Sequence, residues 1–553
     1  MDEAMSYPQI EPANFDLIVI GTGLPESILA AAASSSGKTV LHLDPNPYYG
    51  SHFASLHLHD FTEFLQTHSL PSAPETQPSS SGEFNVLPLT TSPVYSSIET
   101  SVFSPEILQK SNQFNLDLAG PRVLFCADKM IDLFLKTEIN HSMEFKSVDA
   151  SFICEGEEGN LRNVPDSRSA IFKDKSLSFT EKNQLMRFFK LVQDHFGDGS
   201  GEESKKISEE DLKSPFVEFL SRKIGLSQKL KSIILYAISM AHYEQDNLEV
   251  CKDVLKTKDG IDLLILYHKS GGRFPNAPGA MIYPLYGQGE LLQAFCRRAA
   301  VKGSIYVLRM PVVGLLADKE VGNYKGVKLL SGQELFSHKL ILAPSFILPS
   351  GFAPSYLYPE PDGGHDFGLL DEKVKVVRGI CITKSSLKLD VANCLVFFPP
   401  RSLFAEQMTS VRVFQLSSNV AACPSGMFVV YLSTLCKDVG QGKKMVNEAM
   451  NALFSIPISG KPEENSTDSH GENTVLRLKP SLLWSTVYIQ ELTMGAFGCV
   501  SSTFMPDGNL QYNNLLDATT KLFHKMYPNE EFFPEATSSI EVAEDGAFEQ
   551  LDS

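Results

Sequence analysis

Two groups of residues near the start of the chain have types and spacing suited to chemistry. Gly21 and Gly23 occupy the first two positions of a G-x-G-x-x-G pattern, and Asp44 follows 23 residues after the first of them. In a dinucleotide site such glycines bring a pyrophosphate onto a helix N-terminus, and the distal acid binds a ribose hydroxyl. The third glycine position, however, is Glu26. A carboxylate there takes the positive helix end for itself and repels phosphate. The expectation is retained architecture without a cofactor. The second group is His52, His57, His59 and Asp60, in which H-x-H-x-D resembles a metal pair. No further ligand cluster accompanies it, so a solvated polar segment is expected and no metal is assigned. No G-x-S-x-G, H-E-x-x-H or G-x-x-x-x-G-K-[ST] occurs, and no catalytic residue is assigned.

The elements that must position these residues are legible. Phe15–Ile20 is an apolar run typical of a buried parallel strand, and Pro25-Glu26 opens a helix through Ala30–Ala33. Thr39–Leu43 is a second strand ending at Asp44. This is a βαβ unit of a Rossmann-type, FAD-binding-like α/β domain. Gly279–Leu308 returns to the same pattern, with a Gly287/Gly289 turn, a helix with Leu291, Leu292, Phe295 and Ala299 inward, and the strand Ile305–Leu308. Lys339–Ala343 reads as a further buried strand. Between them, residues 171–268 read as an inserted all-helical domain. A Thr180-x-x-Asn start opens its first helix, Thr180–Phe196, and further helices are expected over Lys213–Ile224, Gln228–Met240 and Asp246–His268. The α/β domain is therefore discontinuous, 14–170 and 269–535. Ser/Pro/Thr-rich residues 66–103 read as a disordered surface insertion, Ser459–Asn473 as a polar loop, and 536–553 as an acidic, frayed tail.

Two polar-aromatic clusters fall where an α/β sheet binds its ligands. Asn46-Pro47-Tyr48-Tyr49-Gly50 follows the second strand, and Tyr286-Gly287-Gln288-Gly289-Glu290 opens a helix. On that helix Glu290, Gln293 and Arg297 share one face. Aromatic and arginine side chains beside charged partners have the composition of a protein-interface anchor; a solvated face is the alternative.

Composition narrows the classes. The formal charge is −18, from 48 basic and 66 acidic residues, which argues against nucleic acid as a partner. Nine scattered cysteines without C-x-x-C fit reduced thiols in a cytosolic protein. The acidic N-terminal stretch reads as no signal peptide, and no apolar run is long enough for a membrane span. A soluble, cytoplasmic protein is expected.

The stretches LIVIGTGLPESILAAAASSSGKTVLHLDPNPYYG and YPLYGQGELLQAFCRRAAVKGSIYVL closely resemble the two signature regions of the Rab GDP-dissociation inhibitor and Rab escort protein superfamily. Glu26 belongs to that family's G-T-G-L-x-E pattern. PLYGQGEL, the insertion after the first signature, and the run PRVLFCADKMIDLFLKT followed by VPDSRSAIFKDKSLSFTEKNQLMRFF resemble the escort branch, the component A of Rab geranylgeranyltransferase. The resemblance implies a non-catalytic partner that binds GDP-bound Rab small GTPases and presents their C-terminal cysteines to the transferase α/β heterodimer. It would then carry the lipidated product to membranes through transient contact. It places Rab binding on Tyr49, Glu290, Gln293, Arg297, Ile305, Tyr306 and Val307, the last often Met in the family. It places the geranylgeranyl lipid between the inserted helices, and an apolar transferase contact on Phe188 or Leu191. The basic residue expected beyond these is replaced by the acidic GDGSGEES. A recycling inhibitor and a flavin-dependent oxidoreductase are the alternatives.

Overall fold

In a computed structural model, the apolar run at the N-terminus becomes the strand Asn14–Ile20, one of the central strands of an 11-stranded sheet. The structure describes residues 7–72, 79–81, 83–155, 159–165, 168–197, 206–249, 251, 253–349, 352, 355–356, 374–457, 479–493 and 495–534. Five strands run parallel, in the order Ile305–Leu308, Val40–Asp44, Asn14–Ile20, Glu334–Leu342 and Val500–Ser502. Parallel strands are covered on both faces, which is why residues 17–20 are continuously apolar. One cover is a layer of three helices, Leu24–Ser35, Gly289–Val301 and Asn513–Met526. The alanines of the first helix let the second approach closely, and Ser34 Oγ meets Ser304 Oγ at 2.5 Å.

A second, 8-stranded and mostly antiparallel sheet carries one face against the helix Val439–Leu453. Its other face packs against the helices of residues 168–270 in one continuous apolar cluster. The helical segment thus shares its core with the sheet. Buried Arg378, in the strand Lys375–Thr383 of this sheet, fastens two loops to it. Its Nη1 donates to Ala119 O at 3.3 Å and its Nη2 to Asp507 O at 3.0 Å.

Several sequence expectations are corrected. Within 66–103, described residues form paired strands where a disordered insertion was expected: Phe84–Pro88 joins the large sheet beside Val312–Asp318, and Tyr95–Val102 forms the edge of the second sheet on Leu482–Glu491. Polar residues suffice in Tyr95–Val102, because an edge strand needs backbone pairing and only one buried face. The first long inserted helix spans Phe179–Phe196 and starts from a capping box of Ser178 and Glu181, not from Thr180. The helix expected from Asp246 begins at Thr257. The preceding chain is held irregular by buried Gln245, whose amide donates to Tyr243 O and Asp253 O and accepts from Leu255 N. The acidic stretch at 198–205, the polar loop 459–473 and the tail 536–553 lie outside the described residues. Seven of the nine cysteines are buried and all are free. Among the described residues, no helix is long and apolar enough to cross a membrane.

Candidate functional site

The dinucleotide end of the first βαβ unit is built and then closed. Gly21 has φ +97°, and a Cβ there would lie 2.5 Å from Ala343 Cβ, so the turn requires glycine. Beyond it the Glu26 side chain is fully buried at the start of the helix, against Gly23. Its Oε1 accepts a hydrogen bond from Thr503 Oγ1. Burial pushes its carboxyl up to about 7, and Asp44 adds to the effect. Asp44 is consumed as well. Its Oδ2 accepts from Thr22 N (2.9 Å), Thr22 Oγ1 (2.7 Å) and Ser51 Oγ (3.1 Å), and its Oδ1 from Asn46 N (2.8 Å). A bound dinucleotide would have to displace Glu26 and strip Asp44 of the chain's own donors. The residues present do not fit the cofactor.

Next to this turn, at the same carboxyl edge of the sheet, the chain past the second strand is open: Gly50 N donates to Thr22 Oγ1 at 2.8 Å, and Tyr49 precedes it. Tyr49 is half-exposed and meets Tyr306 edge-on, with ring centroids 6.0 Å apart. Tyr306 also packs on buried His42, at 4.8 Å. The His42 Nε2–H donates to Gly21 O at 2.6 Å, and burial lowers its pKa to about 4, so the ring is neutral. Both tyrosines lie against Cys296, the residue before Arg297. On the helix Gly289–Val301, Arg297 and Glu290 pair at 3.6 Å with side chains 50% and 26% exposed, and Gln293 between them is half-buried. A pair this exposed contributes little to folding, so its groups are available to a partner. The strand Ile305–Leu308 ends the sheet, paired on one side only among the described residues.

The structure divides the predicted set. Tyr49, Tyr306, Glu290, Gln293 and Arg297 belong to the helix-covered side. Ile305 and Val307 alternate to the opposite face of the strand, where they pack with Ile20, Leu41 and Met310. They reach the platform only through the open strand edge.

What holds the platform helix was missed from sequence. Buried Asp117 gathers the turn before it: Oδ1 accepts from Ser55 Oγ (2.5 Å) and Gln288 N (3.1 Å), and Oδ2 from Tyr283 Oη. Ser55 Oγ in turn accepts from Gly289 N at 2.8 Å, and Asp117 N donates to Tyr431 Oη at 3.0 Å. A Cβ on Gly287, at φ +103°, would lie 2.5 Å from Ser55 Oγ. Tyr286, in the left-handed region at φ 69°, is left 57% exposed beside the helix. These partners stand 62, 166 and 171 residues from Asp117, where no spacing pattern could reveal them.

The histidine group does not assemble. His52 is buried with Nδ1 3.1 Å from Tyr95 Oη, and His57 Nδ1 donates to Phe114 O at 3.0 Å. Only His59 and Asp60, with Glu63, remain together on an exposed helix face. In the helical segment Phe188 is 1% exposed and packs in the shared core, which removes it as a docking contact; amphipathic spacing places it on the buried face. Leu191 is half-buried. The outward aromatics there are Phe172 and Phe179.

Comparison with known proteins identifies the family. The GDP dissociation inhibitor family model matches residues 11–87 and 79–459. Rab escort protein 1 of Arabidopsis thaliana is 54% identical over 97% of this chain and 96% of its own length. The Rab proteins geranylgeranyltransferase component A of Drosophila melanogaster is 28% identical over 97% of this chain and 93% of its own. Among solved structures, a Rab GDI from Plasmodium falciparum shares the fold, with TM-score 0.64 at 19% identity over 94% of this chain and 99% of the other. The chain belongs to the GDP dissociation inhibitor family.

Proposed function

We propose that the chain is a non-catalytic escort of Rab small GTPases. It binds the GDP-bound, unprenylated GTPase, presents its C-terminal cysteines to the α/β heterodimer of Rab geranylgeranyltransferase, and carries the product to membranes. The observation that carries this reading is the near full-length similarity, at 54% identity, to a plant protein named as a Rab escort protein. The open platform supports it. Tyr49 and Tyr306 offer rigid apolar area at low entropic cost, while Glu290, Gln293 and Arg297 offer one acceptor and two donors to a charged GTPase surface. Ile305 and Val307 contribute through the backbone of the strand edge, not through their side chains. The helices of 171–268 hold the geranylgeranyl chains, whose burial stabilises by about 0.8 kcal/mol per CH₂. Leu191 is the remaining predicted transferase contact.

The test is geranylgeranylation of a GDP-loaded Rab by purified transferase, with and without this chain. Lipid incorporation that depends on the chain supports the reading; transfer unaffected by the chain refutes it. A recycling inhibitor would instead bind prenylated Rab far more tightly than the unprenylated form.

A further inference from the structure

Away from the platform, one corner of the helical segment turns two aromatic side chains outward. Phe172, in the helix Arg168–Lys173, is 62% exposed, and Phe179, the first residue of the helix Phe179–Phe196, is 80% exposed. Isolated exposed apolar residues are ordinary, but these two are tied together. Lys182, one turn along from Phe179 on the same helix face, donates its Nζ to Phe172 O at 2.8 Å. The connecting loop is held by Lys229, whose Nζ donates to Ser176 O. Lys173 and Lys175 extend into solvent beside them. Four lysines thus rim the two rings against two acids, Asp174 and Glu181, a local excess of +2 on a chain whose net charge is −18. Glu181 is already engaged, accepting from Ser178 N at 2.9 Å and Ser227 Oγ at 3.0 Å. Glu181 also lies in the field of Lys229, an interaction already counted in that excess.

We propose that this corner is a membrane-docking surface, on which Phe172 and Phe179 enter the interface of an anionic bilayer while Lys173, Lys175, Lys182 and Lys229 meet its phosphates. Aromatic rings settle at the headgroup level, and each nearby lysine is drawn to an anionic leaflet. A side chain as exposed as Phe179 projects from the surface instead of lining a groove, which suits a deformable bilayer better than the pocket of a protein partner. The acidic remainder of the chain is repelled by the same lipids, so the field orients this corner toward them. The surface rests on the reading that the chain delivers lipidated cargo, and supplies the place where delivery touches the membrane.

The experiment is co-sedimentation of the full chain with phosphatidylcholine vesicles, with and without phosphatidylserine, for wild type, Phe172→Ser/Phe179→Ser and Lys173→Glu/Lys175→Glu. Wild type should bind phosphatidylserine vesicles in a salt-sensitive manner, and each double variant should lose about tenfold in partitioning. Melting temperature and binding of GDP-loaded Rab should not change, since these side chains are in solvent. Wild type without affinity for phosphatidylserine vesicles overturns the proposal, as does unchanged partitioning of the phenylalanine variant. Loss of transferase binding with vesicle binding intact also overturns it and marks a protein-docking face instead. If wild type fails to support prenylation while the variants still lose vesicle binding, the escort reading fails and the membrane surface stands.

Discussion

Two neighbouring surfaces at the carboxyl edge of the large sheet use similar residue types to opposite effect. At the glycine turn, Glu26 and Asp44 are carboxylates withdrawn from solvent and engaged by the chain's own hydroxyls and amides. On the adjoining surface, Glu290 and Arg297 of the helix Gly289–Val301 make one 3.6 Å contact and stay open to water. Asp44 has its lone pairs taken by the chain's own donors and Glu26 is sealed from solvent with only Oε1 bonded, whereas an exposed, loosely paired acid and base remain open to a partner. On the proposed reading, recognition falls on the tyrosines and the neighbouring helix and not on the glycine turn. His42 lies between the two surfaces, bonded to Gly21 and packed at a tilt on Tyr306.

The contrast can be broken at its support first. Asp117→Ala leaves Ser55, Tyr283 and Gln288 N without their acceptor, and should cost about 3–5 kcal/mol in urea unfolding because several buried donors lose one partner. A loss below about 1 kcal/mol would show that the network does not hold the platform turn.

The sealed surface can be tested by pH. The Glu26 carboxyl is raised to about 7 from an ordinary 4.5, so the folded protein binds a proton that the unfolded chain has released between these values. Its contribution to stability is full below about pH 4.5 and falls as pH rises toward 7. Glu26→Gln, neutral throughout, should be more stable than wild type at pH 8 by on the order of 2–3 kcal/mol. The gap should close toward pH 5 in thermal melts; a pH-independent gap would show the carboxyl is not the cause.

The open surface predicts smaller, purely functional losses. Arg297→Ala and Glu290→Ala should each weaken Rab binding by about 1–3 kcal/mol while moving unfolding stability by less than about 1 kcal/mol. Smallest of all, Tyr286→Gly should raise stability by about 1 kcal/mol in urea unfolding, since glycine accepts the left-handed backbone without a Cβ clash.

Much of this was legible from residues alone, for physical reasons. The βαβ unit, the platform helix with its inward Leu291, Leu292, Phe295 and Ala299, and the strand Ile305–Leu308 announce themselves through hydrophobic period and turn chemistry. The damage at Glu26 was visible because a motif fixes which position must be glycine. Three things were hidden. Edge strands such as Tyr95–Val102 look like loops, since half of their residues face solvent. Asp117 acts through partners far away in sequence. Phe172 and Phe179 could not be told from core positions, because a short helix and the first residue of a long one show no period; Phe188 was given as a contact by the resemblance, although its amphipathic spacing puts it on the buried face where it lies.

The central claim is that recognition lies at the tyrosines and the neighbouring helix and not at the glycine turn. The direct measurement is calorimetric titration of unprenylated, GDP-loaded Rab into wild type and Arg297→Ala. The account predicts binding by wild type and a loss of roughly tenfold to a hundredfold in the variant, at unchanged melting temperature. Equal affinity for the two proteins would contradict it.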